Sequence, residues 1–149
     1  MRKQVGFSLI ELLIVVAIIG IISALAVPNL VRTKIAANEA SAISSVRALV
    51  TGQITYASTV GNGDFAEMEK LVETGIIDSS LGSGNKDGYS FTVAANSRVG
   101  FTVIAVPVAV GMTGERGFYS DHTGIIRVSE DGSPPNEESP VLGKSGSSE

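Results

Sequence analysis

Gly6-Phe7-Ser8-Leu9-Ile10-Glu11-Leu12-Leu13-Ile14-Val15-Val16-Ala17-Ile18-Ile19-Gly20 sets one carboxylate, Glu11, near the start of an otherwise uncharged apolar segment that continues to Val27. A short basic leader, Met1-Arg2-Lys3-Gln4-Val5, precedes it. Residues 7–27 are long enough to cross a bilayer as a helix. A carboxylate inside such a span costs roughly 2.5–3.5 kcal/mol at the centre and less towards the edge, so Glu11 requires a partner. A secretory signal is cut on the far side of its apolar region and loses it. Here the small residue, Gly6, stands before that region, and a cut there would leave the apolar helix in the mature chain.

Lys3, Gly6 to Leu12, Gly20 and Val27-Pro28-Asn29-Leu30 together resemble the N-terminus of type IV pilins and of type II secretion pseudopilins. The resemblance covers the N-terminal fifth of the chain and is specific. It implies cleavage by a prepilin peptidase between Gly6 and Phe7, N-methylation of Phe7, and an assembly role for Glu11 together with Phe7. The leader, 1–6, would then lie on the cytoplasmic side. Arg2 and Lys3 are matched by Arg32 and Lys34 beyond the span, so charge alone does not orient it. The other partners so implied are further copies of the same chain in a helical homopolymer, an inner-membrane assembly platform, and the membrane itself before assembly.

The 149 residues suffice for one anchor and one small domain. The formal charge is −4, and becomes −6 when Arg2 and Lys3 leave with the leader. There is no basic patch for nucleic acid and no cofactor motif. With no cysteine, the outer domain has neither a disulfide nor a thiolate nucleophile, a departure from the many pilins that close their C-terminal region with a disulfide.

Past the anchor, Leu30, Ile35, Ile43, Val46, Leu49, Val50 and Ile54 recur at spacings near three and four, with Asn38, Glu39, Arg47 and Gln53 as polar flanks. This predicts one long helix of roughly 50 residues whose outer half lies on a sheet. Pro28 removes a backbone hydrogen bond and Gly20 adds a second weak point, so the helix is expected to kink or flex there. In the filaments of the resembled family the stretch between these two positions often loses helicity.

Residues 29–128 read as the head. Asp64 is a candidate N-cap for a short helix over 65–73. Residues 82–88 read as a loop, and strands are expected over 89–95 and 99–108, turning at Asn96-Ser97-Arg98. A second hairpin is expected over 117–120 and 124–128, turning at Asp121-His122-Thr123. The predicted fold is α+β and pilin-like, a long kinked helix on an antiparallel sheet of about four strands. From Ser129 to Glu149 the chain is acidic, proline-bearing and poor in apolar residues, and should be a flexible tail, ordered only against a neighbouring subunit.

Catalytic chemistry is not indicated. The single histidine, His122, falls in a turn without a nucleophile placed to use it. Asp121 and Asp131 are weak candidates for calcium, as the resemblance to the major pseudopilin suggests, but the spacing of a recognised calcium loop is missing. No catalytic residue and no committed metal ligand is assigned. Two functions are implied: a subunit of an extracellular filament for adhesion, motility or surface contact, or a pseudopilin of a short periplasmic filament serving secretion. Either route begins in the inner membrane.

Overall fold

A computed structural model describes residues 6–143; the leader at 1–5 and the last six positions lie outside the described residues. Helix α1 runs Leu9–Thr59 with Pro28 inside it. It is followed by α2 (Met68–Glu73), α3 (Ser79–Gly82) and five strands: β1 (Asn85–Lys86), β2 (Tyr89–Asn96), β3 (Gly100–Pro107), β4 (Gly117–Asp121) and β5 (Arg127–Ser129). The strands form one antiparallel sheet in chain order. The protein is thus a long N-terminal helix packed on a five-stranded antiparallel sheet. Contacts divide the chain between Lys34 and Ile35 into two compact units.

The second unit holds the core. Along β2 and β3 every other residue points inwards: Tyr89, Phe91 and Val93 on one strand, Phe101, Val103 and Ala105 on the other. Phe118 and Val128 extend this face, and Ala42, Val46, Leu49 and Val50 of α1 pack against it with Leu71, Ile77 and Leu81. Period-two strands and a period-3.6 helix each turn one face to a shared interior, which is why the two layers meet. Val46 is 0% exposed. Leu30 and Ile54, counted above in the apolar stripe, are exposed.

Three local expectations are corrected. The segment 65–67 is not helical: α2 starts at Met68, behind Glu67, and Asp64 pairs with Arg98 at 3.2 Å instead of capping. Phe65 stands edge-on to Phe101, with ring centroids 4.9 Å apart, so core packing outweighs helix extension there. Within the expected loop, β1 pairs with β2 through the two-residue turn Asp87-Gly88, both at positive φ. Asp-Gly is the dipeptide that such a turn favours.

The expectation for the C-terminal segment also changes. Over 129–143 it is paired with its own head: the Val128 N–H donates to the Pro140 carbonyl and the Leu142 N–H to the Ile126 carbonyl, both at 2.8 Å. The Arg127 guanidinium donates to the Ser139 carbonyl at 2.9 Å. A sheet edge supplies backbone partners whatever the side chains, which composition does not register. Gly117 is required beneath this strap: a Cβ there would lie 2.5 Å from the Ser133 carbonyl oxygen and 3.0 Å from Pro135 Cδ.

Candidate assembly surface and the fastening of the head

In the N-terminal unit α1 begins after Ser8, whose carbonyl accepts from the N–H groups of Glu11 (3.1 Å) and Leu12 (3.2 Å). Glu11 therefore occupies the first helical turn, where the positive end of the helix dipole favours a carboxylate. It is exposed and makes no ion pair among the described residues. Phe7 lies just before the helix. Exposure of the large apolar side chains from Phe7 to Val31 runs from 40% at Val31 to 78% at Leu9. The segment is long and apolar enough to cross a membrane, and none of it is buried by the rest of the chain. Surface of this kind must be covered, by lipid or by other helices. Gly20 is open on all sides, and the helix passes through Pro28 in this state.

In the head, two polar side chains of α1 are buried in phase with the apolar stripe. Positions 35, 39, 42, 46, 49, 53 and 56 alternate steps of four and three, and Glu39 and Gln53 fall on this series. Glu39 is 7% exposed. Its Oε1 accepts from the N–H groups of Glu115 and Arg116, both at 3.1 Å; its Oε2 accepts from Arg116 Nε at 3.0 Å and Nη2 at 2.7 Å. Burial by itself pushes the Glu39 carboxyl up, but the Arg116 side chain and the two backbone N–H groups outweigh it and hold the carboxyl below its ordinary value. Asn38 donates to the Thr113 carbonyl and Tyr89 to the Arg116 carbonyl, both at 2.8 Å. The connection between β3 and β4 is thereby fastened to α1 at Thr113, Glu115 and Arg116.

Gln53 is fully buried and makes a matched pair with one peptide unit: the Ala66 N–H donates to its Oε1 at 2.9 Å and its Nε2 donates to the Ala66 carbonyl. Sequence reasoning placed Glu39 and Gln53 on the solvent flank. Their register with the stripe was the available signal.

Asp121 and Asp131 are not brought into a shared cluster. Asp121 Oδ1 accepts from the N–H (2.8 Å) and hydroxyl of Thr123, and Asp131 Oδ1 from the N–H (3.1 Å) and hydroxyl (2.6 Å) of Ser133. Each closes its own turn. Among the described residues no three acidic or histidine side chains gather as a metal-binding group.

The prokaryotic N-terminal methylation motif matches residues 1–27. The chain is 38% identical over 91 residues to the type IV major pilin protein PilA of Myxococcus xanthus strain DK1622, covering 60% of this chain and 38% of that protein. It is 34% identical over 93 residues to the type II secretion system core protein G of Escherichia coli K12, covering 58% of this chain and 61% of that protein. The chain thus carries the N-terminal methylation motif and is similar both to a type IV pilin and to a type II secretion core protein G. A third relative, the type IV wide pilus major component PilA4 of Thermus thermophilus, is 27% identical over 139 residues, covering 90% of this chain and all of that protein. The matches to the first two relatives span about two fifths and three fifths of their lengths.

Proposed function

We propose that the chain is a structural, non-enzymatic subunit that polymerises through its N-terminal helix into an extracellular filament of type IV pilus kind. The observation that carries this reading is the contrast within one chain: a head with a core of its own, and an apolar helix, 9–31, whose large side chains are exposed. A membrane holds such a helix before assembly, and other copies of it replace lipid afterwards.

In this reading a prepilin peptidase cuts between Gly6 and Phe7, and the new α-amino group of Phe7, a cation even when methylated, meets Glu11 of a neighbouring subunit. Both charges lose hydration, so the pair contributes register more than net stability. A subunit out of step leaves a carboxylate alone among aliphatic side chains. Gly20 and Pro28 supply the weak points at which the helix yields during extraction by an inner-membrane assembly platform.

A second reading, a pseudopilin of a periplasmic secretion filament, draws support from the similarity to core protein G. Electron microscopy of cells expressing the chain, with mass spectrometry of its mature N-terminus, tests both. Long surface filaments whose subunits begin at methylated Phe7 support the pilus. Processed chain confined to the periplasmic side supports the pseudopilin, and a mature chain that still begins at Met1 or Arg2 overturns the proposed processing.

A further inference from the structure

Opposite the face that packs on α1, the sheet carries a groove of about 330 Å³. That lies at the small end of ligand sites, ~300–1,000 Å³. Its floor is made by Ala94 of β2 and Thr102 of β3, partners across the ladder whose small side chains leave the space open. Tyr119 and Asp121 of β4, together with His122 and with Glu137 of the C-terminal strap, also line it.

Tyr119 is only 6% exposed, yet its hydroxyl has no hydrogen-bond partner among the described residues. No such unpartnered side-chain atom is sealed from solvent, so this hydroxyl retains solvent contact, and its residue lines the groove. Burial pushes the Tyr119 hydroxyl pKa up, and the negative charges of Asp121 and Glu137 add to that. Asp121 spends Oδ1 on Thr123 and keeps Oδ2. Of the nearest cations, Arg98 pairs with Asp64, whereas Arg127, beside Tyr119 across the ladder, donates to the neutral Ser139 carbonyl and keeps its charge, which opposes the rise at Tyr119.

We propose that this groove is a binding site for the cationic side chain of a partner protein, a lysine ammonium on its aliphatic stem. The stem lies on the Ala94 and Thr102 floor, as long basic side chains lie on apolar surface. The ammonium group donates to the Tyr119 hydroxyl and to the carboxylates of Asp121 and Glu137, with the ring quadrupole adding attraction. Charge complementarity sets the class of occupant: a groove lined by two carboxylates, an aromatic ring and, among the described residues, no lysine or arginine.

The test uses the full-length chain in detergent micelles and a fluorescein-labelled tri-lysine peptide, read by anisotropy at low salt, beside the same peptide with its side-chain amines acetylated. Acetylation is expected to weaken binding about tenfold. Glu137→Gln and Tyr119→Phe are each expected to weaken it about threefold, and Ala94→Leu, which fills the floor and leaves every charge in place, to abolish it. Thermal melting verifies that each variant is folded. Equal binding of the two peptides, an equal loss from Glu69→Gln on α2, or undiminished binding by Ala94→Leu would overturn the assignment. Zero-length carbodiimide coupling reads the competing occupant: a cross-link from Glu137 to a lysine of a second copy would make the groove a self-contact and overturn the assignment to a separate partner.

Discussion

The valines, leucines and isoleucines of 9–31 and those of 35–50 stand on one assigned helix, yet in the single chain they meet opposite fates. In the head they form a stripe, and the stripe is covered by a sheet. In the N-terminal unit apolar residues run all round the helix and are exposed. A helix apolar on every side belongs in lipid or in the middle of an assembly, whereas a striped one belongs on the surface of a domain. The difference separates two regions: the head carries a core of its own, and the N-terminal helix leaves its large apolar side chains exposed. Polar residues follow the same division. Glu39 is satisfied within the chain four times over, while Glu11 has no ion-pair partner among the described residues.

The sharpest way to break this comparison is Glu11→Ala. Filament yield should fall at least tenfold, since an order-setting charge is lost. The melting temperature of the head, measured on the full chain in micelles, should not move. Normal filaments would leave apolar packing as the sole ordering principle.

Val46→Asp should do the reverse, destabilising the head by about 4 kcal/mol or more through an unpaired buried charge. Circular dichroism would show loss of the head's cooperative melt with the N-terminal helix still inserted. An unchanged melt would mean that the stripe does not face the sheet.

Glu39→Gln should cost about 3 kcal/mol, because Arg116 loses its counter-charge. Its pH dependence gives a second reading. The folded carboxyl is held below its ordinary value of 4.5, so its contribution is fully present above that value and is lost as pH falls through the lowered folded value. Acid titration of the wild-type melt should therefore show a destabilisation below about pH 4.5 that Glu39→Gln lacks in part. Identical acid profiles would remove Glu39 from the account.

The smallest expected effect is Gly117→Ala, about 1–2 kcal/mol, as the added methyl displaces the strap from the outer face of the sheet. Hydrogen exchange at Val128 and Leu142 should accelerate, with the core strands unaffected. Unchanged protection at both amides would show that the strap tolerates the methyl.

The apolar helical segment up to Val27 was legible from its residues because its information is local. The charge at Glu11, the small residue at Gly6 and an unbroken apolar run need no knowledge of the rest of the chain. The β2–β3 hairpin was legible for a similar reason, alternation and turn residues lying next to each other in sequence, whereas the second hairpin was read too long, since 124–126 lie outside β5 and Asp121 belongs to β4. Asp87-Gly88 carried a turn signal too, although the strand before it is too short to show alternation. Only the tertiary structure decided that Glu39 and Gln53 are interior. Their helical register was visible, but whether a polar residue on that face is an error or a fastening depends on the backbone that arrives from 66 and from 115–116. It also decided the course of 129–143, where a composition too poor to form a core is held by backbone hydrogen bonds to a sheet edge. A hydrogen bond between peptide groups is indifferent to side-chain identity, so what closes this head in place of a disulfide left no trace in the composition.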